Sequence, residues 1–316
     1  MEYAYQPLAV HGIRLLHLET GNSDEVRCSL SRHSLAAAPS YEALSYQWAD
    51  HRTVEVKVIE QGQEQRLLVT VSLFTALRNL QLAAANSRTR TIWADGICIN
   101  QNDDCEKSMQ VKLMADIYSK AERVVTYIGD SDGYTAAAIA MARKLIQWAQ
   151  PQLPISTLEE KERRYLDMCS YLGIDDIAWD PTEYHPDPII RSIQDMFNSS
   201  WTRRLWIFQE SVLNQNIIMM CGRHKMPWTM LDELGGLITQ EKIPRILHFS
   251  GLKNPDQDAG TGWAIRRMAS LRRGFKKMAL VDIIQATQHL LCSDPRDKIY
   301  GLYGVFRAVS DAQGRP

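Results

Sequence analysis

The spacing of apolar positions along the chain alternates between two periods. Short segments that are apolar throughout, or that alternate apolar and polar residues, have the pattern of β-strands. They occupy residues 41–46, 53–59, 66–71, 89–94, 123–128 and 216–221. Longer segments repeat apolar residues at helical spacing. These predict helices over 72–84, from 103 onward, 158–170, 187–198, 201–212, 229–240, 262–274, 279–291 and 295–306.

The order of these elements predicts the fold class. Strands alternate with helices over the first 130 residues, and several strands are apolar almost throughout. That combination is typical of a mostly parallel α/β sheet flanked by helices. Ser72 is a candidate N-cap for the first helix, and Asp103 with Glu106 has capping-box spacing for the next.

We expect a single domain over residues 1–316, elaborated by helical insertions. An N-terminal extension covers about 1–40, and the first half of the α/β core covers 41–130. A helical and loop insertion, rich in proline over 151–188, covers 131–200. The second half of the core, with its C-terminal helices, covers 201–306.

Composition and charge narrow the classes of function. The 316 residues include 36 Lys and Arg and 37 Asp and Glu, a net charge of −1. A general nucleic-acid or membrane-surface binder needs a large cationic excess, so neither partner is expected. No apolar run reaches the roughly 18 residues that a membrane-spanning helix requires. The six cysteines lack paired or metal-ligand spacing, so we interpret them as reduced thiols and expect no metal site.

Four segments combine reactive side chains with aromatic residues at strand ends or helix starts. The first, ALSYQWAD at 43–50, carries Ser45, Tyr46 and Trp48 where a strand ends. Ligands of open α/β sheets bind at the carboxyl ends of strands, so these side chains are candidates for ligand contact. The alternative is that both aromatic rings belong to the core and Ser45 caps a turn.

The second segment, IWADGICINQ at 92–101, places Asp95 at the end of a strand and Asn100 and Gln101 before a helix. These side chains could contact a ligand. Asp and Asn also bond to neighbouring backbone groups in loops, so a network that only stabilises the loop is equally compatible with the pattern.

The third segment, WTRRLWIFQE at 201–210, combines an acid, an indole and two guanidinium groups. On one helix Trp206 and Glu210 are separated by one turn, and Arg203 and Arg204 lie just before Trp206. An indole can stack on a base, and apolar surroundings can tune the carboxyl group. A core tryptophan beside a surface Arg–Glu pair is the alternative. In the fourth segment, SDPRDKIY at 293–300, Asp294 and Asp297 have the spacing of a helix start, which favours a structural role.

The four segments, in this order, resemble the fungal heterokaryon incompatibility (HET) domain. The resemblance rests on YEALSYQW, IWADGICINQ, QVKLMADIY at 110–118, Trp201 to Glu210 and DPRDKIY at 294–300, and covers roughly 41–306. Ala49 stands where the family usually has Gly, and Gly96 and Gly301 stand where Ala is common. None of these departures removes a reactive group.

The resemblance implies a cytoplasmic effector of fungal non-self recognition and regulated cell death. The HET domain also looks like a distant relative of TIR domains, which implies a flavodoxin-like sheet. Some TIR domains cleave NAD⁺ at the nicotinamide–ribose bond with a Glu shortly after a Trp on a helix, and WIFQE at 206–210 is similar. The alternative is a non-enzymatic module that triggers death by self-association.

The resemblance thereby implies a set of site residues. Glu210 is the expected catalytic carboxylate of an NAD⁺ nucleosidase, with NAD⁺ as substrate and no cofactor. Self-association and a C-terminal regulatory region of a longer chain are the expected partners. The remaining candidates would bind substrate or hold the site: Ser45, Tyr46, Trp48, Asp95, Asn100, Gln101, Arg203, Arg204 and Trp206.

Overall fold

A computed structural model shows how these segments are arranged. It describes residues 1–21, 25–48, 52–83, 89–152, 157–173, 187–197, 199–239, 268 and 271–314. Ala49 and most of the helix predicted over 262–274 lie outside the described residues, as does much of the proline-rich segment.

Nine strands form one sheet in the order β5-β4-β2-β1-β6-β3-β7-β8-β9. Their bounds are β1 Gly12–Glu19, β2 Arg27–Ser34, β3 Glu42–Ser45, β4 Thr53–Glu60, β5 Gln63–Thr70, β6 Thr89–Trp93, β7 Arg123–Gly129, β8 Ile217–Cys221 and β9 His224–Pro227. All six strands predicted from the apolar pattern are present, and the α/β fold class is confirmed.

The sheet is more mixed than the sequence pattern indicated. Strands β6, β3, β7 and β8 are parallel neighbours. Strand β1 runs antiparallel to both β2 and β6, and β4 and β5 form the predicted antiparallel hairpin. The parallel half therefore contains the strands whose carboxyl ends lead into the candidate segments.

Strands β1 and β2 were missed because neither has a strand period that is visible in the sequence. Both lie within residues 1–40, which we had assigned to an extension. Strand β1 is buried on both faces from Gly12 to Leu16, so its apolar and polar residues do not alternate. Strand β2 is mostly polar, RCSLSRHS.

Helices make up much of the rest of the described chain. Their bounds are α1 Val71–Leu82, α2 Asp95–Cys98, α3 Asp104–Lys120, α4 Thr135–Ala149, α5 Leu158–Leu172, α6 Pro188–Phe197, α7 Trp206–Val212, α8 Trp228–Thr239, α9 Leu280–Thr287 and α10 Asp297–Ala312. Short 3₁₀ turns occur at Leu35–Ala37, Ser200–Arg203 and Phe275–Lys277.

The helix starts test the capping residues that the sequence predicts. Asp103 caps α3 by accepting from the backbone N–H groups of Cys105 and Glu106 at 2.9 and 3.0 Å, which is one half of the predicted capping box. The Glu106 carboxylate bonds instead to Arg14 and the Asn100 N–H. The N-cap of α1 is Thr70, which accepts from the Leu73 N–H at 3.3 Å, so the assignment to Ser72 was wrong. The last helix begins at Asp297, two residues after the predicted start.

The described residues divide into two compact units. The first comprises 1–130, 204–225 and 274–316, and the second comprises 131–203 and 226–273. In the second unit α4 packs with α5, α6 and α8, and the Trp201 and Trp228 rings meet edge to face at 6.2 Å. The single-domain organisation stays a prediction.

In the first unit, helices α3, α7 and α10 pack together. The hydrogen bond between Ser45 and Glu210 of α7 shows that Ser45 faces α7. Tyr127 of β7 faces the opposite side, because its hydroxyl lies 2.9 Å from the Asn79 amide nitrogen of α1. The two faces of the parallel half therefore have different helical partners.

The predicted helix over 201–212 is interrupted. Residues Ser200–Arg203 form the 3₁₀ turn and α7 begins at Trp206. Between them Arg204 forms a β-bridge with Leu291, and the Leu205 N–H donates to the Leu291 carbonyl at 2.8 Å. This long-range pairing overrides the helical period of the sequence.

Candidate functional site

A buried serine–glutamate pair lies where β3 ends. The Ser45 hydroxyl donates a hydrogen bond to Glu210 Oε2, and the two residues are 1% and 2% exposed. Burial, together with the smaller effect of the Asp95 charge, raises the pKa of the Glu210 carboxyl to about 7. The Arg204 charge and the Ser45 hydrogen bond act in the opposite direction. Such a carboxyl group can exchange a proton near neutral pH.

Arg204 supplies the positive charge at this strand end. Its Nη1 donates to the carbonyl oxygen of Tyr46, and its backbone is held by the bridge to Leu291. Its charge also lowers the pKa of the Asp95 carboxyl, although burial outweighs this effect and leaves that pKa raised. One guanidinium thus acts electrostatically on two desolvated carboxyl groups.

Asp95 begins α2 directly after β6 and organises its own loop. Its Oδ1 accepts from the Gly96 N–H at 2.7 Å and from Trp48 Nε1 at 3.3 Å. Its backbone carbonyl accepts from Gln101 Nε2 at 2.8 Å. Asn100 Oδ1 accepts from the Asn102 N–H at 3.1 Å. The loop network considered from the sequence is therefore present, and it holds Asp95 beside Trp48.

Two aromatic rings flank Asp95 and differ in exposure. Tyr46 and Trp48 stack with ring centroids 6.3 Å apart and planes 27° apart. Tyr46 is buried, and burial with the nearby Asp95 charge raises the pKa of its hydroxyl. Among the described residues that hydroxyl has no well-aligned hydrogen-bond partner. Trp48 is 44% exposed, so its ring is available to a flat ligand.

Gly96 makes the close packing around Tyr46 possible. A Cβ at this position would overlap the Tyr46 hydroxyl and lie 3.0 Å from Leu73 Cδ2. The Tyr46 hydroxyl therefore takes up the space that the methyl group of an alanine at position 96 would need.

Trp206 lies one helical turn before Glu210, as predicted, and its indole bonds to the last helix. Its Nε1 donates to Asp297 Oδ2 at 3.0 Å, and the residue is half-buried. The third and fourth sequence segments therefore contact one another. Asp294, the predicted cap, instead accepts from the Arg296 N–H at 2.9 Å and pairs with its side chain.

Arg203 is the predicted site residue that these contacts leave aside. It is exposed, and its 3₁₀ turn belongs to the second unit. Direct hydrogen bonds link six of the other candidates in pairs, Ser45 with Glu210, Arg204 with Tyr46, and Trp48 with Asp95. Trp206 bonds instead to Asp297, which is not among the candidates. Gln101 joins through the Asp95 backbone, and Asn100 through its own loop. Their roles toward a substrate stay predictions.

Neither metals nor membrane spans have structural support within the described residues. No group of three or more His, Cys, Asp or Glu side chains there could hold a metal ion. All six cysteines are free thiols, four of them buried. No helix in the described part of the chain has the length and apolar character needed to cross a membrane.

Comparison with known proteins assigns the family. The profile of the family described as heterokaryon incompatibility protein (HET) matches residues 41–210, more than half of the chain. The chain belongs to the HET family. It is 28% identical to heterokaryon incompatibility protein 6, OR allele, of Neurospora crassa, over 96% of this chain and 48% of that protein. It therefore spans about half the length of this curated relative, and no solved structure matches it.

The segment matched by the HET profile begins just before Ser45 and ends at Glu210. It contains both partners of the buried pair, and Asp95 and Arg204 lie within it. Strands β1 and β2 and helix α10 lie outside the matched segment but belong to the same compact unit.

Two sets of supporting residues were missed from the sequence. Arg14 and Glu106 form a buried ion pair at 2.5 Å, and Glu106 Oε1 also accepts from the Asn100 N–H at 2.7 Å. No local pattern marks such a pair, because its partners are far apart in sequence. The second is Thr126, a polar residue inside the apolar run RVVTYIG of β7. A polar residue in a buried strand was the one sign in the sequence that could have identified it.

Proposed function

We propose that this HET-family chain acts in fungal heterokaryon incompatibility by hydrolysing NAD⁺ at the nicotinamide–ribose bond. The name of the Neurospora relative supports the biological role, and the family assignment supports it independently. The observation that carries the reaction is the buried Glu210 carboxyl, bonded to Ser45 and with a pKa of about 7. Perturbed carboxyl groups of this kind are concentrated at functional sites.

The proposed chemistry suits a single carboxylate. Breaking the bond between nicotinamide and ribose C1′ sends the electron pair to the pyridinium ring, which leaves as neutral nicotinamide. The leaving group needs no general acid, and positive charge develops on the ribose as in glycoside hydrolysis. Ionised Glu210 would stabilise that charge. Water then adds to C1′ and loses its proton, so the products are nicotinamide, ADP-ribose and H⁺.

Other residues of the same unit would bind the dinucleotide. The exposed face of Trp48 is suited to stacking on a base, and Asp95 holds its indole nitrogen. Arg204 would face the diphosphate, because a guanidinium can bond two phosphate oxygens at once. Ser45 would orient the carboxyl group of Glu210 through the hydrogen bond it already makes.

The second candidate function is a non-enzymatic module that signals by self-association. Exposed apolar side chains on α9 and α10 favour it, since Val281, Ile284, Ile299 and Tyr303 are 65%, 47%, 58% and 54% exposed. Large apolar side chains grouped on neighbouring helices are typical of contact surfaces. Assembly and catalysis can also operate together in one effector, in which case turnover would depend on protein concentration.

One experiment separates these functions. Nicotinamide release from NAD⁺ is measured over a wide range of protein concentration, with self-association followed by sedimentation. We expect release that rises as pH passes through about 7, where Glu210 ionises, and that falls by roughly 10²–10³-fold in Glu210→Gln, as when one electrostatic stabiliser of a transition state is removed. Glu233→Gln, at an exposed position of α8, is the matched control and should keep wild-type turnover.

Two outcomes would contradict the proposal. Equal turnover by wild type and Glu210→Gln would remove Glu210 from the reaction. No release by the wild type, even at concentrations where it self-associates, would favour the non-enzymatic module.

A further inference from the structure

A threonine hydroxyl beside the serine–glutamate pair is buried without a partner. Thr126 of β7 is 0% exposed, and its Oγ1 makes no hydrogen bond to any described residue. Leaving a hydroxyl buried and unbonded destabilises a protein, whereas valine would fill the same space at no such cost. Buried polar groups are normally hydrogen-bonded, and exceptions to this rule are characteristic of functional positions.

The strand register places Thr126 next to Ser45, the hydrogen-bond partner of the candidate carboxylate. Ser45 of β3 and Thr126 of β7 are paired residues in parallel strands, so their side chains lie on the same face of the sheet. The Ser45 side chain reaches Glu210 on that face. The alternation along β7 agrees, because the neighbouring Tyr127 points to Asn79 on the other face.

Another polar group on the same face also lacks an internal partner. Trp93 of β6 pairs with Ala43, which shares its face of β3 with Ser45. Its Nε1 is buried and makes no hydrogen bond to the described part of the chain. The two strands that flank β3 therefore each carry one unpartnered polar side chain on this face, Trp93 on β6 and Thr126 on β7.

We propose that Thr126 is a further ligand-binding residue of this site, and that its hydroxyl bonds a hydroxyl group of the bound ligand. A carboxylate and two neighbouring hydroxyls offer acceptors and donors at short spacing, which suits the vicinal diol of a ribosyl group. This inference rests on the proposed function for its ligand class. Its physical basis, a buried unpartnered hydroxyl beside Ser45, is independent of the reaction.

Two variants of the 316-residue chain separate a binding role from a structural one. Thr126→Val removes the hydroxyl and keeps the shape, and Thr126→Ser keeps the hydroxyl and is the matched control. Thermal unfolding without ligand, ADP-ribose binding by calorimetry and nicotinamide release are measured for both. We expect Thr126→Val to raise Tm by about 2–5 °C, because an unbonded hydroxyl is removed.

The same variant should bind ADP-ribose about tenfold more weakly, the effect of one lost hydrogen bond. Thr126→Ser should bind within about threefold of wild type, since it retains the bonding group. Higher stability together with weaker binding is an outcome that a purely structural threonine would not produce. Wild-type affinity in Thr126→Val would overturn the inference, and so would a wild-type protein that binds no ADP-ribose.

Failure of this inference can be distinguished from failure of the proposed function. If the wild type binds ADP-ribose but releases no nicotinamide, and Thr126→Val binds more weakly, the binding role of Thr126 stands and the hydrolysis proposal fails. If the wild type hydrolyses NAD⁺ and Thr126→Val matches it in binding and turnover, the hydrolysis proposal stands and the binding role of Thr126 fails.

Discussion

The side chains of Trp206 and Asp297 are joined by a hydrogen bond in which the indole Nε1 donates to Oδ2 at 3.0 Å. Trp206 is the first residue of α7, one turn before Glu210, and Asp297 is the first residue of α10. Helix α10 packs on α7, and Gln209 Oε1 accepts from the Gly304 N–H at 3.2 Å. The DPRDKIY segment therefore supports the helix that presents the candidate carboxylate.

We expect this hydrogen bond to couple the two helices energetically. In a double-mutant cycle of Trp206→Phe and Asp297→Ala, urea unfolding should give a coupling of about 1 kcal/mol. The cycle removes the separate effects of losing indole packing and of losing an acid in the first turn of α10. If the free energies of unfolding add to within about 0.3 kcal/mol, the bond contributes nothing to stability.

The pKa of Glu210 predicts a specific dependence of stability on pH. Because the folded-state pKa of about 7 lies above the unfolded value of 4.5, the folded state holds its proton more tightly. The resulting stability is present below pH 4.5 and is lost as pH rises through about 7. Glu210→Gln cannot ionise, so it should exceed the wild type in unfolding free energy by roughly 3 kcal/mol at pH 8, with little difference at pH 4.5.

Glu122→Gln is the control for this pH dependence. The pKa of the Glu122 carboxyl is lowered by hydrogen bonds from Ser40 and Arg123, so the control should be slightly less stable than wild type above its ionisation range. Thermal unfolding between pH 4.5 and 8 is the measurement. Parallel pH curves for wild type and Glu210→Gln would show that Glu210 ionises normally.

Gly304 allows α10 to approach α3 and α7. A Cβ there would overlap Ala115 Cβ and lie 2.6 Å from Gln209 Oε1. Gly304→Ala should therefore lower the free energy of unfolding by about 1–3 kcal/mol, despite the higher helix propensity of alanine. A second substitution, Ala115→Gly, should recover part of the loss because it removes the main overlap.

Gly236 of α8 is the matched control for this substitution. It is also a helical glycine, but an added Cβ would meet no atom within 4 Å. Gly236→Ala should stabilise the protein by up to about 1 kcal/mol, which is the ordinary difference in helix propensity. Chemical denaturation of both variants is the measurement, and equal signs for the two would contradict the close-approach argument.

The Arg14–Glu106 pair should be the most sensitive ion pair of the first unit. Arg14 is 1% exposed, and both terminal nitrogens of its guanidinium group, Nη1 and Nη2, donate to the Glu106 carboxylate. Glu106→Gln leaves that charge buried without its counter-ion and should cost about 3 kcal/mol of unfolding free energy. Since Glu106 also accepts from the Asn100 N–H, hydrogen exchange in the Asp95–Gln101 loop should become faster.

The exposed pair of Asp294 and Arg296 provides the comparison. The Arg296 side chain is 78% exposed, and its pair with Asp294 is solvated. Asp294→Asn should change the unfolding free energy by less than about 1 kcal/mol. Comparable losses in Glu106→Gln and Asp294→Asn would show that burial does not decide the strength of these pairs.

Much of the fold could be predicted from the sequence, because periodicity and capping depend on neighbouring residues. The apolar runs at 42–45, 123–129 and 217–221 are strands, and Asp103 caps α3. Strand β1 was not predicted because burial on both faces removes the alternation of apolar and polar residues that marks a strand. The helix over 201–212 was predicted as continuous because its local period gives no sign of the bridge between Arg204 and Leu291.

The sequence by itself determined the α/β class, the HET family and the segments that carry reactive side chains, because each depends on residue types at short spacing. Only the tertiary structure decided which side chains meet. It joined Ser45 to Glu210 across 165 residues of chain, and Trp206 to Asp297 across 91. The physical reason is that strand register and helix packing determine these contacts. Burial then sets the pKa of Glu210 and leaves the Thr126 hydroxyl without an internal partner.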